Sequence, residues 1–327
     1  MTLMNEKIKA ELLSIGTVDV EESLLPSFRT STAGPGMGLQ SVFFRSGGLR
    51  VRLEVGRHSP LRMIGKDGHV VILRNGKDFV EGEIEPVVNH CPGQVYITIS
   101  ERCIYNCQFC SVPLSDGHIK TKDEIIAIVE EARRNGKLDV IALTSGIANS
   151  PEDEIDRVVE IVRALAPYGV PIGVAVHPAK NSSRRLKDAG VTEVKYSVET
   201  MDPDIFRRMC RGGKGHTLEY ILESLSEAVD VFGKNHVSSN IIIGLGETDE
   251  CVRQGVEYLA KMGVIPVLRP ISISPLRREE LKTTIRPSPE RLMKLVGMTR
   301  EILRKYGLSV SESRTMCLAC TGCDLTP

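Results

Sequence analysis

Two groups of three cysteines stand out, because thiols this close together along a chain are suited to bind metal. Six of the nine cysteines form the triplets Cys103, Cys107, Cys110 and Cys317, Cys320, Cys323. The amino-terminal residues are charged and amphipathic and lack the apolar stretch of a secretory signal, which predicts a cytoplasmic protein in which disulfides are rare. Metal binding is therefore the first interpretation of both triplets. For the scattered Cys91, Cys210 and Cys251 we expect packing as small buried hydrophobic residues.

The first triplet has the spacing Cys-x3-Cys-x2-Cys and directly follows an apolar segment with the pattern of a strand. A structural zinc site needs four ligands, and His118 is the local candidate for the fourth. Three thiolates on a short loop instead favour a [4Fe–4S] cluster that leaves one iron open for a small-molecule ligand. Zinc and buried, metal-free cysteines are the alternatives.

The second triplet lies close to the carboxyl end, in a segment rich in small residues that offers little core for three thiols. This favours a second, auxiliary [4Fe–4S] cluster, with zinc as the alternative. The fourth ligand of a cluster would be external, a water, or a residue from elsewhere such as Cys91, Ser311 or Ser313. For zinc it would be Cys91 or His90. We expect this tail to reach the mouth of the fold as a lid that brings its own metal.

The elements that must position these cysteines alternate between strands and helices from residue 91 onward. Apolar strands are predicted at 95–100, 139–144, 171–176, 193–198, 237–243 and 265–271, and amphipathic helices follow start signals at Thr121, Ser150, Thr248 and Ser288. Six βα units in series predict a parallel sheet whose ligand site lies at the carboxyl ends of its strands.

The first 90 residues have a different pattern. After one short helix, alternating segments are joined by the turn sequences Lys66-Asp67-Gly68 and Arg74-Asn75-Gly76, which are typical of β-hairpins. The sequence thus predicts a small, mostly-β domain over 1–90, a barrel domain over 91–307 and an irregular tail over 308–327.

Composition excludes several classes of protein. The 327 residues are 41% hydrophobic and 26% charged, as in globular proteins, and show no apolar run near the roughly 20 residues that span a bilayer. The 42 basic residues match the 42 acidic residues, so no overall charge favours nucleic acid or a membrane surface.

The segment CIYNCQFC, with the aromatic Phe109 before its last cysteine, resembles the cluster loop of radical S-adenosylmethionine enzymes. The resemblance covers about residues 91–306. It implies an α/β fold with a partial (βα)6 TIM-type barrel, and a [4Fe–4S] cluster on Cys103, Cys107 and Cys110. The open iron of that cluster would bind S-adenosylmethionine, which is cleaved reductively to a 5′-deoxyadenosyl radical.

The same resemblance implies cofactor contacts at the ends of later strands. Besides Phe109, these are Ser145 and Gly146 after the second strand, Ser197 and Glu199 after the fourth, and Ile243, Gly244 and Gly246 after the fifth. The alternative for Glu199 is a helix cap. Arg269, inside the barrel, needs an anion, for which we expect a carboxylate of the cofactor or substrate. His177 is either a residue of the barrel mouth or a loop histidine, and the basic run 207–216 is a solvated face or a docking site for an acidic partner.

The segments VKYSVETMD and IIIGLGETDE resemble most the biotin synthase and lipoyl synthase branch, and the whole chain is similar to subunits of the archaeal two-component lipoyl synthase. This implies sulfur insertion at an unactivated carbon, with sulfur from the auxiliary cluster. Expected partners are a reduced flavodoxin- or ferredoxin-like electron donor, an acyl- or lipoyl-carrier protein and a second radical enzyme subunit. The alternatives are a maturase or methylthiolase, and a non-catalytic two-cluster electron carrier.

Overall fold

The computed structural model describes residues 2–27, 29–85, 93–136, 138–213 and 215–327. The candidate ligands His90 and Cys91 lie outside the described residues, as does the predicted domain boundary near residue 90. The division of the chain into domains therefore stays a prediction.

The amino-terminal part forms a mostly-β unit of one helix and seven strands. The bounds are α1 Glu6–Ile15, β1 Thr17–Val20, β2 Arg29–Thr30, β3 Gln40–Ser46, β4 Leu49–Val55, β5 Leu61–Lys66, β6 His69–Arg74 and β7 Lys77–Ile84. The strand order is β2-β3-β4-β1-β5-β6-β7, and β3 also pairs with β7. Asp67 and Asn75 adopt φ values of 51° and 50°, each followed by a glycine at positive φ, as the predicted hairpin turns require.

Six parallel strands follow in the order β8-β9-β10-β11-β12-β13, each paired with its neighbour in sequence. They are β8 Gln94–Thr98, β9 Val140–Thr144, β10 Ile172–Ala175, β11 Glu193–Lys195, β12 Val237–Ile243 and β13 Ile265–Pro270. The accompanying helices are α2 Lys122–Arg134, α3 Pro151–Leu165, α4 Ser182–Ala189, α5 Pro203–Met209, α6 Leu218–Phe232, α7 Asp249–Met262 and α8 Pro289–Lys305. The predicted partial (βα)6 barrel is confirmed.

Helix starts agree with their local sequence signals. The side chains of Thr121, Ser150, Thr248 and Ser288 each accept a hydrogen bond from a backbone amide in the first turn of the helix that follows. No helix in the described part of the chain is long and apolar enough to cross a membrane.

The β-unit closes the open side of the six-stranded barrel. Thr32 lies 2.8 Å, hydroxyl to hydroxyl, from Thr98 at the end of β8, and the Ser272 hydroxyl just beyond β13 donates to Glu54. The two edge strands of the partial barrel are thus both tied to the same unit. The carboxy-terminal tail includes one short helix, α9 Met316–Cys320.

Candidate active site in the barrel

The first cysteine triplet lies on the segment that leaves β8 at the carboxyl edge of the sheet. Its backbone is held by three amides, since Ile104 donates to Ile147 O (2.7 Å), Asn106 to Arg211 O (2.8 Å) and Gln108 to Met209 O (2.8 Å). Segments that follow β9 and β11 therefore fix this loop.

Two further side chains support the loop from other directions. The buried Arg277 guanidinium donates to Cys110 O (2.8 Å) and to the Asn106 side chain (2.7 Å). Gly146, just after β9, lies against the backbone that leads into the cysteine loop. A Cβ added there would lie 2.0 Å from Arg102 O. Gly146 thus permits the close approach of the cysteine loop, whereas its predicted contact with the cofactor stays a prediction.

The three thiols have different environments. A hydrogen bond with Cys210 lowers the pKa of Cys107 to about 5, and the neighbouring His216 helps to outweigh burial. Burial raises the pKa of Cys103, and it raises the pKa of Cys110 to about 12. Cys210, expected only to pack, is buried and is also a direct neighbour of the triplet.

No group of three or more His, Cys, Asp or Glu side chains among the described residues converges on a point that could hold a metal ion. The donor set still fits an iron–sulfur cluster, because three thiols share one braced loop and Cys107 favours the thiolate that binds iron.

A histidine pair borders the loop. His177 Nε2 lies 2.7 Å from His216 Nδ1, and His177 Nδ1 lies 2.8 Å from the carbonyl oxygen of Pro178. Burial, and then His216, lowers the pKa of His177 to about 3, so the ring is neutral and its Nδ1–H donates to that carbonyl. The ring of Tyr105 lies 5.0 Å from His177 and 4.6 Å from His216, between centroids. His177 therefore lies at the mouth.

The basic run 207–216 is not a purely solvated face, and its predicted docking of an acidic partner stays a prediction. Met209 and Cys210 are buried, and the backbone carbonyls of Met209 and Arg211 accept from the cysteine loop. Arg208 donates to the carbonyl of Leu245 (3.2 Å). The run supports the loop and borders the end of β12.

Ser145 has an internal hydrogen-bonding role. Its hydroxyl donates to the buried Glu154 and accepts from the amide of Ser100 (3.0 Å), while the Ser100 hydroxyl donates to the same carboxylate oxygen (2.8 Å). Glu154, on α3, was missed by the sequence analysis, because nothing near it in sequence indicates that a helix carboxylate returns to the strand ends.

Glu199 is directed into the barrel rather than onto a helix. Its φ is 62°, its amide donates to Asn240 O (2.9 Å) and its carbonyl accepts from Ile242 N (2.8 Å). The helix that follows is capped by Asp202, so the alternative of a cap at Glu199 is wrong. Burial, followed by the nearby Cys107, raises the pKa of Glu199 to about 7, against the opposing effects of Lys195 and Arg269.

Ser197 is half-buried two residues before Glu199, and its predicted contact with the cofactor stays a prediction. Phe109 is buried in the barrel core next to the loop.

The turn after β12 borders a cavity of about 800 Å³, whose lining includes Gln108 of the cysteine loop. Gly244 and Gly246 adopt φ values of 119° and 108°, which favour glycine. The buried Glu247 carboxylate accepts from the amides of Gly244 (2.9 Å) and Leu245 (2.7 Å). Arg291 pairs with Glu247 at 2.9 Å. Glu247 was missed, although its position after the glycines could have indicated a carboxylate that folds the turn.

Ile243 ends β12, is fully buried, and its carbonyl accepts from Ile271 N (2.9 Å). The predicted cofactor contacts of Ile243, Gly244 and Gly246 stay predictions.

The second triplet lies inside the barrel at the amino-terminal ends of the strands, opposite the first. The buried Glu193 at the start of β11 accepts from Arg314 N (2.6 Å), Thr315 N (3.1 Å), Ser313 Oγ (2.8 Å) and Thr315 Oγ1 (2.7 Å). A Cβ on Gly173 of β10 would lie 2.0 Å from Thr315 Oγ1. The expectation of a lid at the mouth is therefore wrong, because these contacts hold the tail at the other end of the barrel.

The triplet bridges the barrel and the β-unit. Lys195 Nζ donates to Cys317 Sγ at 3.0 Å, whereas Cys320 packs against Phe43 of β3. The amide of Arg52 donates to Gly322 O (2.7 Å), and Lys9 Nζ donates to Thr321 O (2.6 Å).

Arg269 faces the tail. Its Nη2 lies 3.8 Å from Asp324 Oδ2. Burial alone would lower the pKa of Arg269, but Cys317, Cys323 and Asp324 raise it. The anion expected for Arg269 is thus supplied at least in part by the tail, and its contact with cofactor or substrate stays a prediction.

The candidate fourth ligands Ser311 and Ser313 have other partners. The Ser311 hydroxyl lies 2.8 Å from that of Ser309, and Ser313 donates to Glu193. Lys195, Glu193 and Asp324 were missed, since only the fold brings them to the tail.

Comparison with known proteins identifies the barrel. Residues 97–259 match the sequence model of the radical SAM superfamily. The chain is 27% identical over 219 residues to the probable GTP 3′,8-cyclase of Thermococcus kodakarensis, covering 63% of this chain and 67% of that protein. It is 30% identical over 227 residues to the biotin synthase of Saccharopolyspora erythraea, covering 65% of this chain and 61% of that protein.

The crystal structure of a radical SAM methyltransferase from Sphaerobacter thermophilus superimposes with a TM-score of 0.53 at 17% identity, covering 76% of this chain and 75% of that one. This likeness shows the fold alone. The curated relatives match over about two thirds of their length or less.

Proposed function

Because the chain belongs to the radical SAM superfamily, we propose that it is a radical enzyme that inserts sulfur at an unactivated carbon. The family implies a [4Fe–4S] cluster and S-adenosylmethionine, for which Cys103, Cys107 and Cys110 are the ligand set. The finer proposal is that Cys317, Cys320 and Cys323 hold an auxiliary [4Fe–4S] cluster that donates sulfur, as in a lipoyl or biotin synthase.

The observation that supports sulfur insertion is the position of the second triplet within the same barrel as the first. Cys107 affects Glu199 electrostatically from one side, while Lys195 and Arg269 affect it from the other and also lie beside Cys317. A substrate within the barrel would therefore have the radical source on one side and the tail thiols on the other.

Accessible surface on the barrel strands supports a substrate position inside the barrel. Tyr96, Thr144, Ala175 and Asn240 lie on strands inside the fold and yet are only half-buried. Arg269 keeps 28% of its side-chain surface accessible. Accessible surface on central strands of a partial barrel indicates an interior space bordered by these residues.

When bound, S-adenosylmethionine and the two clusters supply a 5′-deoxyadenosyl radical and a sulfide. With these groups bound, Cys103, Cys107 and Cys110 would hold the source of the radical that takes a hydrogen atom from the substrate. Cys317, Cys320 and Cys323 would hold the source of the sulfide that the substrate carbon gains, and that cluster would also take up the one electron left over. Since the sulfide leaves with the product, each chain is limited to about one turnover unless the cluster is rebuilt.

The proposed partners follow from this chemistry. A reduced flavodoxin- or ferredoxin-like protein would supply the electron at the cysteine loop, where Ile104 is 53% exposed and Leu114 is 50% exposed. An acyl- or lipoyl-carrier protein is the proposed substrate and a second radical SAM subunit the proposed partner, on the resemblance to two-component lipoyl synthases.

Anaerobic reconstitution tests the proposal. The expected result is about eight irons per chain, release of 5′-deoxyadenosine with dithionite and S-adenosylmethionine, and transfer of ³⁴S from a labelled tail cluster into product. Iron near four per chain would remove the auxiliary cluster. Cleavage of S-adenosylmethionine with the ³⁴S label found in a metal cofactor or a methylthio group would favour the maturase or the methylthiolase. Reversible redox chemistry without cleavage of S-adenosylmethionine would favour an electron carrier.

A further inference from the structure

The tail places an acidic residue directly after its last cysteine, and that residue is buried. Asp324 is 2% exposed, and its Oδ2 has no hydrogen-bond partner within the described ranges. The Arg269 guanidinium, at 3.8 Å, is beyond hydrogen-bonding distance. A buried carboxylate oxygen without a hydrogen bond is costly, which indicates a missing partner.

The direction of the chain brings Asp324 to the same side as Cys317. Cys317 packs against the cluster formed by Ile265, Val267 and Leu318, and Asp324 approaches Arg269, two residues beyond Val267 on β13. Alternate residues of a strand share one face, so both tail residues lie along the inward face of β13. The next residue, Leu325, turns the other way into the core of the β-unit.

Two other candidates for the fourth position, Ser311 and Ser313, have partners of their own, whereas Cys91 and His90 lie outside the described residues. Ser311 is exposed and bonded to Ser309, and Ser313 is bonded to Glu193. Lys195 donates to Cys317 and, as an ammonium, has no lone pair for iron. Asp324, itself part of the tail, has a carboxylate oxygen with no hydrogen-bond partner among the described residues. That oxygen could bind iron.

We propose that the Asp324 carboxylate is the fourth protein ligand of the auxiliary iron–sulfur cluster, an inference that rests on the proposed function of the tail triplet. Carboxylate oxygens bind iron but are harder ligands than thiolates. The iron bound by the carboxylate would therefore exchange its ligand more readily than the three irons bound by thiolates.

The test uses the full chain with Cys103, Cys107 and Cys110 all replaced by Ala, so that only the tail cluster contributes iron and spectra. We expect about four irons per chain, and about three with the additional Asp324→Asn, accompanied by the EPR signal of an oxidised [3Fe–4S] cluster. Asp324→Cys should restore about four irons and lower the reduction potential, because a thiolate donates more electron density. Glu312→Gln, at an exposed acid of the same tail, is the matched control and should leave iron and potential unchanged.

The outcomes distinguish a failure of the Asp324 assignment from a failure of the proposed auxiliary cluster. If Asp324→Asn keeps about four irons with an unchanged spectrum and potential, the ligand assignment is overturned while the auxiliary cluster stands. If the tail-only chain binds no iron, the auxiliary cluster of the proposed function falls and the assignment with it. In the chain with all its cysteines, Asp324→Asn should still release 5′-deoxyadenosine, which shows that the barrel remains folded.

Discussion

The hydrogen bonds between Glu193 and the tail hold the second triplet inside the barrel, and Glu193→Gln should release the tail. The two carboxylate oxygens divide four donors, with Arg314 N on Oε1 and the Ser313 and Thr315 donors on Oε2. A glutamine presents only one oxygen, so one set of donors loses its acceptor and meets an NH2 group instead.

The magnitude follows from the bonds lost. Hydrogen bonds to a buried charged group contribute about 1.5 to 3 kcal/mol each, and removing the charge weakens those that remain. We expect docking of the tail to weaken by about 3 kcal/mol, which raises the population of the released tail about 100-fold.

Hydrogen exchange and limited trypsin digestion measure that population. The amides of Arg314 and Thr315 should lose protection, cleavage after the exposed Arg314 should accelerate, and iron should fall towards about four per chain while S-adenosylmethionine is still cleaved. Glu223→Gln, at an exposed position of α6, is the control. Unchanged protection of Thr315 in Glu193→Gln would refute the reasoning, because the carboxylate would then not hold the tail.

The remaining predictions concern the two cysteine sites and their neighbours. Cys107→Ala should abolish release of 5′-deoxyadenosine, whereas Cys320→Ala should retain it and lose only the sulfurated product; equal loss in both would show that the tail belongs to the radical site. Glu247→Gln removes an acceptor from the turn at Gly244, so the Kd for S-adenosylmethionine in equilibrium dialysis should rise about tenfold at constant iron content. The pKa of Glu199 in the folded chain is raised to about 7, so the folded state favours the protonated carboxyl. The stabilisation that this gives is fully present below the pKa of a glutamate in the unfolded chain, and it is lost as pH rises through about 7. Urea unfolding of the metal-free chain should show this loss, about 3 kcal/mol between pH 5 and pH 8, and Glu199→Gln should remove it.

Features encoded by neighbouring residues were predictable from the sequence. The caps at Thr121 and Ser288, the hairpin turn at Asn75 and the cysteine spacing each depend on a few adjacent residues, and the structure has each of them where expected. The six strands could be located because each is a short apolar run between helices.

The position of the tail could not be predicted, because it depends on contacts between distant parts of the chain. Glu193 lies 122 residues before its partner Thr315, and Gly173 admits that threonine only because it lacks a Cβ. Neither residue belongs to a motif. Glu154 is similar, since no local pattern indicates a buried helix carboxylate that accepts from two serines just beyond strand ends.

The two triplets also differ in how their surroundings favour thiolates. Cys107 has a lowered pKa through a hydrogen bond with Cys210, assisted by His216. The pKa of Cys317 is lowered although burial raises it, because the charges of Arg269 and Lys195 outweigh burial. Fixed positive charges stabilise an added electron, so Arg269 and Lys195 should make a cluster at the tail easier to reduce. The same two charges would stabilise the electron that carbon–sulfur bond formation leaves at the tail.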